Sequence, residues 1–243
     1  MNTPACQRLN VLLSGFAAIA AIFMVSPAAR AATIVWNNAG TVWATGTDWT
    51  GGSAPTSDLT SDIALFNSTL FSSQPNYGTT SVAGIQVGDG TTLTGPLTLT
   101  GTALSLGSGG IVIAANAGTV SLSNSVKIGA NQSWANNSSS LFTVGATITN
   151  AGNAAPFTLT LNGSGSGGTT ITGIISNGGT TGTTAVTVNT TGGGVTTLSG
   201  NNSFTGGMTL TSGVPGPPPA RGLSDSARFL WAAANCNWPM PRG

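Results

Sequence analysis

Residues 185–213 read AVTVNTTGGGVTTLSGNNSFTGGMTLTSG. Short runs in which Val or Leu alternates with Thr are separated by clusters of Gly, Asn and Ser. Alternation with a period of two marks a strand with one buried face, and the Gly/Asn clusters are turn chemistry. Looser copies of the pattern run back to about residue 82. Segments this short cannot enclose a core from a few large elements. They can coil into stacked rungs, each burying its apolar residues against the next.

Strands are expected at 82–87, 97–100, 111–114, 120–128, 141–149, 157–161, 169–175, 185–189, 195–199 and 208–211. In Leu97-Thr98-Leu99-Thr100 and Phe157-Thr158-Leu159-Thr160-Leu161 the apolar residues take one face and Thr the other. Thr is β-branched and suits an exposed strand face. Like positions set the repeat length. Leu99 to Leu122 is 23 residues, Leu122 to Val144 is 22 and Val188 to Leu210 is 22, and the 44 residues from Val144 to Val188 read as two further units. The expected fold is all-β, a right-handed parallel β-helix (β-solenoid) with short coils of about 22 residues, each of two or three strands. Residues 33–213 then form about eight coils, a rod about 40 Å long at ~4.8 Å per strand. Gly and Asn mark the corners at 107–110, 163–168, 177–179 and 192–194, because both tolerate positive φ. Asn side chains on successive coils, Asn201 and Asn202 among them, are expected to stack in amide ladders.

Only 5% of the chain is charged, against about 25% in an ordinary soluble domain. The net charge of +1 is uneven: +2 in residues 1–32, −3 in 33–213 and +2 in 214–243. A mildly acidic repeat body has no basic patch to meet phosphates, so nucleic-acid binding is rejected.

The N-terminus has the form of a secretory signal: Arg8, an apolar stretch over 9–25, then Pro27 before Ala29-Arg30-Ala31. Cleavage is expected after Ala31 or Ala32, with an uncleaved anchor as the alternative. No later segment reaches the roughly 20 apolar residues of a membrane-spanning helix, so no membrane span is expected in the mature chain. Cys6 leaves with the signal and Cys236 is left alone, so no internal disulfide is expected. The chain divides into 1–32 (signal), 33–81 (Trp-rich cap), 82–213 (repeat solenoid) and 214–243 (non-repeat tail).

In the opening segment, Trp36, Trp43 and Trp49 precede Gly51-Gly52-Ser53-Ala54-Pro55 and Asp62-Ile63-Ala64-Leu65-Phe66. An open solenoid end needs covering, and large rings suit the task; a sugar-stacking platform is the other reading. In the tail, Pro215, Pro217, Pro218 and Pro219 end the strand pattern, because Pro lacks the amide a ladder needs. The switch within one strand reads as a frameshifted or otherwise non-homologous terminus, or else as a native tail with a docking segment.

Nothing in the composition assembles a reaction centre. There is no His and no Glu, so no Ser–His or Cys–His pair can form and few metal ligands exist. Asp58 and Asp62 are the nearest thing to a carboxylate pair; Asp58 reads as a turn residue and Asp62 as a strand start. Asp89 in Gly88-Asp89-Gly90 reads as a turn, and Lys127 as an outward charge on a strand. No catalytic, cofactor-binding or metal residue is assigned.

The run from Gly193 through Thr196, Thr197, Leu198, Ser199, Gly200, Asn201, Asn202, Ser203, Phe204, Thr205 and Gly206 to Gly207 closely resembles the autotransporter-associated β-strand repeat. Its usual form is GG-x-TTLSGNN-[ST]-[YF]-TGGTT. The opening three Trp, GG-x-P and D-x-A-x-F also resemble the start of proteins of that family. The resemblance implies the β-helical passenger part of an exported, surface-located repeat protein with a structural or adhesin-like role and no catalysis. It further implies cell-surface or extracellular polysaccharide or protein partners. Self-association through the open coil ends is also expected. Thirty residues after Gly213 leave no room for the ten-residue strands of a translocating barrel, so autotransport by this chain alone is not expected. The competing readings are a carbohydrate-active β-helix enzyme and a non-functional truncated passenger.

Overall fold

A computed structural model describes residues 31–152, 155–179 and 181–212, together with the short strands Val214–Pro215 and Phe229–Leu230. Every strand pairing in it is parallel apart from one isolated bridge between Trp36 and Trp49. Among the described residues, helix is confined to the three-residue turn Gly46–Asp48. The chain is a parallel β-solenoid of about six turns, with stacked strands about 24 residues apart.

Each full coil passes through three short strands. The first column is a six-stranded sheet: Leu97–Leu99, Val120–Leu122, Phe142–Val144, Thr169–Ile171, Val195–Leu198 and Val214–Pro215. The second column holds Ser125–Ile128, Ile148–Asn150 and Ile175–Ser176. The third holds Gln132–Asn136, Phe157–Gly163, Thr184–Thr190, Met208–Ser212 and Phe229–Leu230. The last two columns count as one twelve-stranded sheet because Ala103–Ile113 runs through both. Its first half pairs with Ser125–Ile128 and its second with Gln132–Asn136. Gly110 sits between the two halves at φ +57°, where a Cβ would meet the Ser133 carbonyl oxygen at 2.1 Å. Only glycine lets that strand bend so close to the next coil.

Three columns of inward side chains make the core. Leu99, Leu122, Val144 and Ile171 stack in register on the first face. Leu104, Val126, Ile148 and Ile175 do so on the second. Ile85, Ile111, Trp134, Leu161 and Val188 follow on the third. All of these are at most 1% exposed. Strand alternation alone produces this, since every second residue of every rung points into the same lumen.

Several expectations need correction. The coils number about six, not eight, and are not uniform. Leu99 pairs with Leu122 and Leu122 with Val144, as the spacing predicts. Val144, however, pairs with Ile171, 27 residues on, and never shares a column with Val188. Coils lengthen between the second and third columns: the corner grows from three residues (129–131) to six (151–156), and the third strand gains two residues at its start in going from Gln132–Asn136 to Phe157–Gly163. The strands expected at 120–128, 141–149 and 169–175 each break in two at a corner. Pairing also begins before residue 82, since Ala32–Val35 stacks on Asp62–Phe66, and Asp62–Phe66 on Thr79–Val87. Pro215 does not end the ladder: Val214–Pro215 lies beside Val195 and Thr196, at the sheet edge where a missing amide is tolerated. Residues 1–30, with most of the expected signal (1–32) and Cys6, lie outside the described residues, as does Cys236.

Candidate functional site

The four carboxylates of the repeat body are all committed to local backbone. Asp58 Oδ1 accepts the N–H groups of Thr60 and Ser61, both at 2.7 Å, and its Oδ2 accepts the Ser61 hydroxyl. These bonds, that from the Ser61 hydroxyl foremost, hold its carboxyl down at about 2. Asp89 Oδ1 accepts N–H from Thr91 and Thr92 at 2.8 Å, and its Oδ2 accepts the Asn67 amide. The Thr92 and Thr91 amides hold Asp89 well below the usual carboxylate range. Asp62 opens the strand Asp62–Phe66, and its Oδ2 accepts the Thr56 N–H at 2.6 Å. Asp48 Oδ2 accepts the Val42 N–H at 3.2 Å. Asp58 is therefore a turn residue and Asp62 a strand start, each aimed at its own loop. Lys127 is exposed on its strand. Among the described residues no three metal-ligating side chains gather, and no helix is long and apolar enough to cross a membrane.

The tryptophans of the opening segment pack around one phenylalanine. Trp36 and Trp43 each meet Trp49 edge to face with centroids 4.9 Å apart, and all three indoles lie within 6 Å of Phe66. Trp49 Nε1 donates to the Trp43 carbonyl oxygen at 2.6 Å. The rings are 1 to 2% exposed. A sugar-stacking platform needs an open ring face, and these offer none. Tyr77, also buried, has its phenol pushed up to about 12 by desolvation.

The segment 193–207 is one complete passage from the first column to the third. Gly193 turns at φ +81°, Val195–Leu198 forms the first-column strand, and Gly207 turns back at φ +90° into Met208–Ser212. Phe204 fills the corner at 3% exposure. Asn202 points inward, and its Oδ1 accepts the Ile175 N–H of the preceding coil. Other Asn side chains act alike. Asn136 donates to the Ser140 and Gly168 carbonyls, Asn177 Oδ1 accepts from Thr184 and Thr205, and Asn131 Oδ1 accepts from Thr158. The expected amide-to-amide ladder is thus replaced by amide-to-backbone bonds across corners. A corner leaves backbone groups without a strand partner, and a side-chain amide reaches them.

No protein-family model, curated protein or solved structure matches this chain. The β-solenoid architecture rests on the strand pairing itself. The likeness of 193–207 to the autotransporter-associated repeat rests on those residues.

Proposed function

We propose that this protein is an exported, surface-located structural repeat protein, a non-catalytic passenger-type rod of the autotransporter-associated kind with an adhesin-like role. The observation that carries the reading is the use of its acidic residues. All four described carboxylates accept backbone N–H groups of their own turns. Carboxylates in a polysaccharide-cleaving β-helix stand together on an exposed face, ready to move protons. The coil stack from Ala32 to Ser212, whose outer face carries Thr, Ser and Asn, supports a scaffold instead.

The test has two arms. Incubation of the purified protein with pectin-like and other polysaccharides should release neither reducing nor unsaturated ends; release of either establishes the enzyme reading. Expression in a Gram-negative host should yield a mature chain beginning at Ala32 or Thr33. Retention of residues 1–31 in the membrane fraction overturns export by a cleaved signal.

A further inference from the structure

The outward side chains of the six-stranded sheet form a grid. Its central positions are Thr98, Ser121, Thr143, Thr170 and Thr197, each in register with the next. Two residues along each rung stand Thr100, Ser123, Gly145, Thr172 and Ser199. The N–H groups of Ser123, Gly145, Thr172 and Ser199 bond to the carbonyls of Leu99, Leu122, Val144 and Ile171, so register persists past the strand ends. Nine of these ten positions carry a hydroxyl. The rows repeat every ~4.8 Å from coil to coil and every ~6.6 Å along a strand. Leu99, Leu122, Val144 and Ile171 lie between the two rows and are buried at 1% or less, so the grid rests on packed core.

The chemistry of the grid narrows its ligand. None of the ten residues is charged, which leaves nothing to bind an ionic polymer, a mineral or a lipid headgroup. None is aromatic, and among the described residues the exposed large hydrophobics are Val, Leu and Ile. Sugar rings present C–H faces that stack on aromatic side chains, so a crystalline polysaccharide lacks its usual partner here. What remains is a two-dimensional array of small hydroxyls interspersed with threonine methyls. Hydroxyls at fixed intervals hold a first layer of water in a lattice, and the methyls limit competing orientations. A ligand that repeats in the same two directions and consists of water is ice. We propose that the outer face of the six-stranded sheet is an ice-binding surface. The inference does not depend on export or on an adhesin-like role.

Ice-recrystallisation inhibition by the purified protein tests it, with incorporation into a growing ice hemisphere as a second readout. The wild-type chain should restrain crystal growth and enter the ice. Thr170→Tyr, which raises a bulky ring in the centre of the grid, should lose both effects. Ser105→Tyr, at an outward position of the neighbouring column, should keep them. Gly145→Thr completes the second row; a Cβ there meets nothing nearer than 3.8 Å, and the variant should act at several-fold lower concentration. Thermal unfolding of each variant separates surface effects from misfolding. The proposal is overturned if the wild type does no more than an inert protein at equal concentration. Equal loss in Ser105→Tyr, no gain in Gly145→Thr, or adsorption to microcrystalline cellulose without any effect on ice also overturns it.

Discussion

The side-chain oxygen of Asn202 accepts the backbone N–H of Ile175 at 2.8 Å across 27 residues of chain, and both residues are buried. Ile175–Ser176 pairs with Ile148–Asn150 on one side. On the other side the next coil turns its corner with Asn202 and Ser203, and Ser203 N–H returns a bond to the Ile175 carbonyl. The Asn202 amide therefore replaces the backbone carbonyl that a third strand would have supplied. Asn202→Ala strands a buried N–H, at a cost of about 1–3 kcal/mol. Asn201 is exposed, and Asn201→Ala should stay within about 0.5 kcal/mol. Circular dichroism melts of the two variants check this. Equal melting temperatures would remove the corner role of Asn202.

Two glycines should respond in opposite ways to the same change. Gly163 has φ +135°, and a Cβ there would meet the Asn136 carbonyl oxygen at 2.0 Å. Backbone strain alone costs about 1–3 kcal/mol at such a site, and the contact with the neighbouring coil adds to it. At Gly145 the nearest atoms to a Cβ are 3.8 Å away. Gly145→Ala should be neutral or stabilising by about 0.4–1 kcal/mol through the unfolded chain. Urea midpoints of the two Ala variants, compared with the parent, decide the matter.

Phe66 touches Trp36, Trp43, Trp49 and Phe71. Phe66→Ala should cost about 3–5 kcal/mol and let water reach the indoles. Lower melting temperature and a red-shifted tryptophan emission are the expected readouts. An unshifted emission would mean that the three indoles hold together without it.

The alternation of Leu, Val and Ile with Thr made the coil legible, because the same residues that stack in the lumen set the spacing. Leu99, Leu122 and Val144 pair as that spacing predicts, and so do Val188 and Leu210. The strand Gln132–Asn136 is invisible to the same reasoning, because two of its three inward residues are polar. Gln132 is tolerated there because its Oε1 accepts the Trp134 Nε1 proton and its Nε2 reaches the Leu106 carbonyl. Those partners come from the fold, not from the local pattern. The 27-residue coils were hidden for a related reason: extra residues enter at corners, where no periodicity marks them. Turn roles for Asp58, with Thr60 and Ser61 just beyond it, and for Asp89, set between Gly88 and Gly90, were legible because an Asp in such a setting bonds the backbone two or three residues on. The amide partners of the Asn residues were not, since they lie one coil away.

Acid should weaken the fold through those same two turns. Asp58 drops from 3.8 to about 2 in the folded chain, and Asp89 is also lowered. The unfolded chain then takes up protons first as pH falls, so it gains relative to the folded one. The stabilisation is complete above pH 3.8 and is lost as pH falls through about 2. Melting temperatures measured from neutral pH downward should begin to fall below pH 3.8. Asp58→Asn, which keeps the shape but removes the ionisation, should bend less. An identical acid limb in that variant would show that its turn does not report on folding.

The alkaline limb belongs to Tyr77, the one tyrosine of the chain. Its ring is 3% exposed and lies against Gly101, where a Cβ would meet Cδ2 at 2.2 Å. Burial desolvates the phenolate and pushes the group from 10.0 to about 12. The folded chain then holds its proton more tightly than the unfolded one. Stability contributed by the neutral phenol is therefore full below pH 10 and is lost as pH rises through about 12. Because there is a single tyrosine, ultraviolet absorbance of the phenolate follows this group alone. In the folded protein the rise should come near pH 12 or coincide with unfolding, and in urea it should return to about 10. Tyr77→Phe should flatten the alkaline loss of melting temperature. A phenolate rise at pH 10 in protein that still shows its strand spectrum would mean that the ring is solvated and that the coil around Gly101 is open.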